Sequence, residues 1–249
     1  MANKPFDALF FDLGNTLIYF SGDWAQVFSQ AKIELMKQLK KDGVDFHEET
    51  FIEEFSRRIN EYHNERESGY VEHTTATILK SLLSEYDYPG FPEKNIRSAL
   101  KAMYTVSQGR WHPDAETLPI LQSLKEEGYR LGIISNAADD SDVQTLVDKA
   151  QLRPLFDRIL SSAAAGIRKP HPRIFNMVLD EWKIEPSRAA MIGDNLSADI
   201  LGANNAGLFS IWITKYVNSP DIDPTDNIQP DATISTLGEL PDLLESLSN

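Results

Sequence analysis

Residues 8 to 17 read Ala8-Leu9-Phe10-Phe11-Asp12-Leu13-Gly14-Asn15-Thr16-Leu17. An apolar run of this length that meets Gly-Asn is the pattern of a buried strand stopped abruptly by a turn. Asp12 then stands at the strand's carboxyl end, on the rim where open parallel sheets place their ligands. Alone, such an aspartate serves more often as a turn or helix cap, so its meaning depends on what the rest of the chain brings beside it.

Downstream, from His112-Pro113-Asp114 to the end, strand and helix patterns alternate. The predicted strands are Tyr129 to Ile134, Arg158 to Leu160, Ala189 to Ile192, Leu208 to Ile213 and Asp231 to Ile234. Between and after them fall helical stretches at Glu116 to Glu127, Ser141 to Ala150, Pro172 to Trp182, Ala198 to Asn205 and Leu237 to Leu247, with a proline- and aspartate-rich loop at Val217 to Pro230. Such a rhythm makes βαβ units and a mainly parallel sheet. Upstream, between Ser21 and Gln108, only helical spacing is found. Trp24, Val27, Phe28, Ala31, Leu35, Met36 and Leu39 repeat at three and four between Asp23 and Lys41. Further helices follow at Glu48 to Glu67, Thr74 to Tyr86 and Glu93 to Val106. The predicted fold is therefore an α/β core, residues 1–20 and 109–249, interrupted by an all-helical segment at 21–108 that either forms an inserted bundle or packs rigidly on the sheet.

With 249 residues, 41% of them hydrophobic and 25% charged, the chain has the composition of a globular protein with a full core. Its net charge of −14 argues against nucleic acid or an anionic membrane as partner. An anionic ligand would need locally positive groups. The absence of cysteine removes disulfide and thiolate chemistry and fits a reducing compartment. Asp7 and Asp12 break the one apolar stretch near the start, so neither a signal peptide nor a span is expected and a cytoplasmic location is the default. Nothing in the sequence sets the oligomeric state.

Three later stretches join the first: Gly132-Ile133-Ile134-Ser135-Asn136, Gly166-Ile167-Arg168-Lys169-Pro170, and Met191-Ile192-Gly193-Asp194-Asn195-Leu196-Ser197-Ala198-Asp199. The βα architecture brings Asp12, Asp194 and Asp199 to one rim. Carboxylates so placed repel unless a cation or protons intervene. An oxygen-only donor set without His or Cys favours Mg²⁺. Ser135 and the backbone after it can face an anion in a shared concavity, or make an ordinary Ser-Asn turn. Lys169 sits between Gly166 and Pro170, which fix the backbone around its amine.

In this order the four stretches resemble the motifs of the haloacid dehalogenase-like hydrolase superfamily, most of whose members are magnesium-dependent phosphatases. The resemblance runs from about Phe6 to near Leu244. It implies a Rossmann-like three-layer core and makes the insert a cap of the C1 type, closing over the catalytic rim. It implies that Asp12 attacks the phosphoryl group of a small phosphate ester to give an aspartyl-phosphate, which water then hydrolyses. Mg²⁺ would be held by Asp12, Asp194 and the Gly14 carbonyl, with Asp199 and Thr16 in support. A helix-start acid favoured by the dipole explains Asp199 equally well. Ser135, Asn136 and Lys169 would bind the phosphoryl oxygens, Lys169 also pairing the nucleophile.

Gly14 departs from the pattern. Most phosphatases of the superfamily carry there a second aspartate that protonates the leaving alcohol and later activates water. Losing such a group costs about 10²–10⁴ in rate. Either the leaving group is acidic already, or His63, His73 or His112 substitutes, or the chain binds with weak or no turnover. Dehalogenases of the superfamily also lack this aspartate, which makes L-2-haloacid hydrolysis the alternative activity. Against it stands Asp194, since that branch lacks the metal carboxylate and uses no Mg²⁺. Trp24, Arg57, Arg58, Arg66, Arg110 and Trp111 are candidates to line the opening.

Overall fold

The computed structural model describes residues 4–65, 69–217 and 228–248. Arg66 lies outside these, as does most of the loop expected at Val217 to Pro230. The architecture is a six-stranded parallel sheet between two layers of helices, with a helical block set into it.

The opening stretch forms β1 (Ala8–Phe11), every residue of which is buried. It lies at the centre of the sheet. A strand covered on both faces reads as a continuous apolar run, and its side chains still alternate between layers. Leu9 and Phe11 join one apolar core, Ala8 and Phe10 the other. The chain then makes β2 (Ile18–Phe20), a block of four helices, α1 (Trp24–Lys41), α2 (Glu48–Glu65), α3 (Thr75–Glu85) and α4 (Glu93–Gln108), and β3 (Trp111–Pro113). After these come α5 (Thr117–Glu126), β4 (Arg130–Ser135), α6 (Asp140–Lys149), β5 (Arg158–Ser161), α7 (Ser162–Ala165), α8 (Arg173–Trp182) and β6 (Ala189–Gly193). α9 (Leu201–Ala206), β7 (Phe209–Ile213), β8 (Ala232–Ile234) and α10 (Leu240–Leu247) complete the chain.

The sheet order is β5-β4-β1-β6-β7-β8, with β1 parallel to β4 on one side and to β6 on the other. The order reverses at β1, so a crevice opens at the carboxyl ends of β1, β4 and β6. Helices α5, α6 and α10 cover one face of the sheet and α8 and α9 the other.

Helices α1 to α4 share an apolar core of their own, built around Leu35, Leu39, Phe51, Phe55, Leu79 and Leu100. Asp23 caps α1 by accepting from the amides of Ala25 and Gln26 at 2.8 and 3.1 Å. One member of the expected apolar face departs from it: Trp24, in the first turn, is 53% exposed. β2 and β3 pair antiparallel, Tyr19 opposite His112 and Phe20 opposite Trp111, exactly where the chain leaves and rejoins the sheet. These strands of three residues were not foreseen, being too short for any alternation to register. The helix expected at Ala198 to Asn205 begins instead as one turn of π-helix, Leu196–Ile200, before α9. Asn195 caps that wide turn through the Ala198 amide at 2.8 Å, while its own amide donates to Asp199 at 3.0 Å. Among the described residues no helix is long and apolar enough to cross a membrane.

Candidate active site

The crevice holds a cleft of about 260 Å³ lined by Asp12, Gly14, Asn136, Lys169, Asp194 and Asp199, among others. Strand ends deliver the first groups. The amide of Asp12 still donates to Ile192 at 2.9 Å, so the aspartate is the last residue held by the sheet. Asp194 follows β6 directly, its carbonyl accepting from the Trp212 indole at 2.8 Å. One carboxylate oxygen from each of Asp12, Asp194 and Asp199 lies within 4.8 Å of the others.

Lys169 is the cation among these acids. Its ammonium donates to Asp12 at 2.7 Å, to Asp199 at 2.6 Å and to the carbonyl of Ile134 at 2.6 Å. All three protons are thus engaged, and the side chain is buried. Burial works against the charged amine, but Asp12 and Asp199 outweigh it and raise its pKa above the usual lysine value. Asp199 is raised by burial to about 6, against the pull of Lys169. Asp194 has no such partner. Burial, and then the charges of Asp12 and Asp199, push it up to about 8.

Three carboxylates against one ammonium leave two negative charges when all are ionised, and the unbalanced oxygens belong to Asp12 and Asp194. A hard divalent cation fits this donor set, and Asp194 is the acid most in need of it. Gly193 is a glycine because Asp199 packs against it: a Cβ there would lie 2.3 Å from the Asp199 carboxyl. Gly14 is covered by Trp111, whose ring would meet a Cβ at 3.3 Å.

The side chain of Asn136 bonds both backbone groups of Lys169, its amide to the carbonyl at 3.0 Å and its oxygen from the N–H at 2.9 Å. Asn136 lines the cleft, whereas Ser135 is buried at the end of β4 and is not among the described lining residues. Thr16 is buried behind Gly14, and its hydroxyl is the one buried side-chain polar atom without a partner among the described residues.

The histidines considered for the missing acid lie elsewhere. His112 bonds the Ser21 hydroxyl at 3.0 Å, and His63 and His73 pack against Tyr62. None of them lines the cleft, although His63 lines the cavity beside it. Of the other candidates for the opening, Arg57 pairs with Glu54 and Glu61, Arg58 with Glu54 and Glu85, and Arg110 is exposed; none lines the cleft or the cavity beside it.

Sequence reasoning passed over Arg168 and Glu72. Arg168 is buried and donates to Glu72 at 3.4 Å and to the Tyr62 hydroxyl at 3.2 Å. Glu72 also accepts from Tyr62 at 2.6 Å and Ser162 at 2.7 Å. A backbone bridge between Val71 and Ile167 runs beside the pair, and the Arg168 amide donates to Tyr70 at 2.9 Å. The helical block is thus fastened to the segment that carries Lys169. The available signal was a second cation beside Lys169 in Gly-Ile-Arg-Lys-Pro.

A family model described as haloacid dehalogenase-like hydrolase matches residues 6–207. The chain is 29% identical to a glyceraldehyde 3-phosphate phosphatase of Pyrococcus furiosus over 239 residues, covering 96% of this chain and 92% of the relative. It is 30% identical to a ribulose-1,5-bisphosphate 5-phosphatase of Halopiger xanaduensis over 244 residues, covering 95% of this chain and 98% of the relative. Among solved structures, a 2-haloacid dehalogenase of Pseudomonas syringae pv. Tomato superposes with a TM-score of 0.69 at 25% identity, covering 97% of this chain and 99% of that one. With the family match spanning most of the sequence and the acids of the first and last stretches gathered in one cleft around Lys169 of the third, the chain belongs to the haloacid dehalogenase-like hydrolases.

Proposed function

We infer that this hydrolase is a Mg²⁺-dependent phosphatase acting on a small phosphate ester, with Asp12 as the nucleophile. The observation that carries the reading is the placement of Asp12 between the Lys169 ammonium at 2.7 Å and the Asp194 carboxylate. Lys169 fixes one oxygen of Asp12, leaving the other to attack phosphorus in line. The bond from phosphorus to the leaving oxygen breaks as the aspartyl-phosphate forms, and water then hydrolyses that acyl phosphate. Asn136 holds the Lys169 backbone and so the position of its amine.

Asp12 and Asp194, with the Gly14 carbonyl, are the groups that would hold Mg²⁺. When bound, the ion neutralises charge on the phosphoryl oxygens. Asp199 acts through Lys169 and the Asn195 amide rather than on the substrate. Residues 21–108 serve as a cap that keeps water from the rim. The acid missing at Gly14 is replaced by no histidine of the cleft, so substrates with acidic leaving groups are favoured. The two phosphatase relatives support a small phosphorylated metabolite.

Hydrolysis of phenyl phosphate tests the reading: it is expected to require Mg²⁺ and to be lost in Asp12→Asn. Full activity in excess chelator contradicts it. Gly14 favours a second reading, halide displacement from a 2-haloacid. Metal-independent release of chloride from L-2-chloropropionate would establish that activity instead.

A further inference from the structure

Beside the catalytic cleft lies a larger cavity, about 550 Å³, bounded by the helical block and the ends of β4 and α6. The two spaces share Asn136 and Arg168, so the cavity adjoins the cleft. Its volume is that of a ligand site for a drug-sized molecule, well beyond what a triose would fill.

On its helical side an apolar stretch lies beside Asn60, Tyr62 and His63 of α2. Trp24, Val27, Phe28 and Ala31 of α1 face Ile59 of α2 and Met103 of α4. A row of rings leads there from the nucleophile: Trp111 covers Gly14, Phe20 meets Trp111 at 5.3 Å, Trp24 meets Phe20 at 4.9 Å, and Phe28 stacks on Trp24 at 6.4 Å. Trp24 remains half-exposed although it belongs to this row.

The polar groups of the cavity offer little to a second anion. Among the described lining residues Arg168 is the only lysine or arginine and Glu72 already balances it, while His63 packs against Tyr62. Asp142 adds a carboxylate held by the Gln108 amide at 2.8 Å, and Thr75 and Tyr104 bond each other at 2.7 Å. A second phosphate or carboxylate would enter against uncompensated negative charge.

Resting on the phosphatase reading, we propose that the substrate is a monoester whose leaving group is neutral, apolar and ring-bearing, seated on the Trp24 and Phe28 wall with the phosphoryl group over Asp12. Phenol-type alcohols meet this description. They also leave without a proton donor, which answers the glycine at position 14.

The test compares 1-naphthyl phosphate with phenyl phosphate, whose alcohols are of similar acidity, so that the ratio of kcat/KM reads apolar size. Burial of the second ring is expected to favour the naphthyl ester about tenfold. Trp24→Ala and Ala25→Trp, at exposed positions in the first turn of α1, are expected to bring the ratio toward one. Calorimetry on Asp12→Asn reads the same cavity without turnover. The naphthyl ester is expected to bind about tenfold tighter than the phenyl ester, and ribulose 1,5-bisphosphate more weakly than either. A ratio near one in both measurements, or preference for the bisphosphate, overturns the proposal while hydrolysis itself leaves the phosphatase reading in place. Tight naphthyl binding without hydrolysis by the parent protein in Mg²⁺ upholds the cavity assignment and removes the phosphatase reading.

Discussion

The two adjoining cavities of this molecule are built from opposite materials. In the cleft at the sheet's edge, directional bonds hold the central charged groups: Lys169 bonds Asp12, Asp199 and the Ile134 carbonyl, and Asp199 also accepts from the Asn195 amide. In the cavity under the helical block, apolar side chains from α1, α2 and α4 form one wall, while Thr75 bonds Tyr104 and Gln108 bonds Asp142. Directional bonds allow almost no substitution, because an unpaired buried charge is costly. Apolar walls tolerate change as long as volume is kept. One fold can therefore hold its chemistry constant at the strand ends while the inserted helices vary what is admitted.

The largest expected effect comes from unbalancing the charged side. Lys169→Met leaves the part-buried carboxylate of Asp12 and the buried one of Asp199 without their shared counter-charge. Urea unfolding is expected to register a loss of about 3–5 kcal/mol, and hydrolysis of phenyl phosphate to fall by at least about 10²-fold. An unchanged midpoint would break the contrast between the two regions.

Gly193→Ala probes the same side more gently. Its methyl group would press on the Asp199 carboxyl and, through Lys169, displace Asp12. The expected result is a fall in kcat of about 10²-fold, with the protein still folded by circular dichroism.

The smallest effect falls on the apolar side. Burial raises Asp142 to about 6, against the hydrogen bond from Gln108. Its folded pKa lies above its unfolded value, so the folded protein holds a proton that the unfolded chain releases. Stability contributed by that proton is present at low pH and lost as pH rises from about 4 through about 6. Asp142→Asn is expected to flatten this slope and to add about 1–3 kcal/mol at pH 7, measured by urea midpoints across the range. An equal slope in parent and variant would contradict the assignment.

Much of the charged side was legible in the sequence, for a physical reason. A buried parallel strand must be continuously apolar, so the residue that ends it stands out: Asp12 after Phe11, Asp194 after Gly193. The alternation of strands and helices then brings those ends together without knowledge of any side-chain contact. The Asn136 side chain holds the Lys169 backbone, a contact across 33 residues that no local pattern encodes. Glu72 and Arg168 find each other across 96 residues for the same reason. Trp24 fitted the helical period but faces the cavity rim, since a period defines a stripe and not what lies opposite it. The pairing of Phe20 with Trp111 belongs to strands of three residues, below the length at which alternation can be read.

The account stands on Asp12 carrying the phosphoryl group between its two bond-breaking steps. Rapid acid quench during turnover of phenyl phosphate in Mg²⁺, followed by peptide mass spectrometry, measures this directly. A phosphate adduct confined to the peptide containing Asp12, and lost in chelator, is the predicted result. Steady turnover with no adduct at Asp12, or with an adduct on another residue, would contradict it.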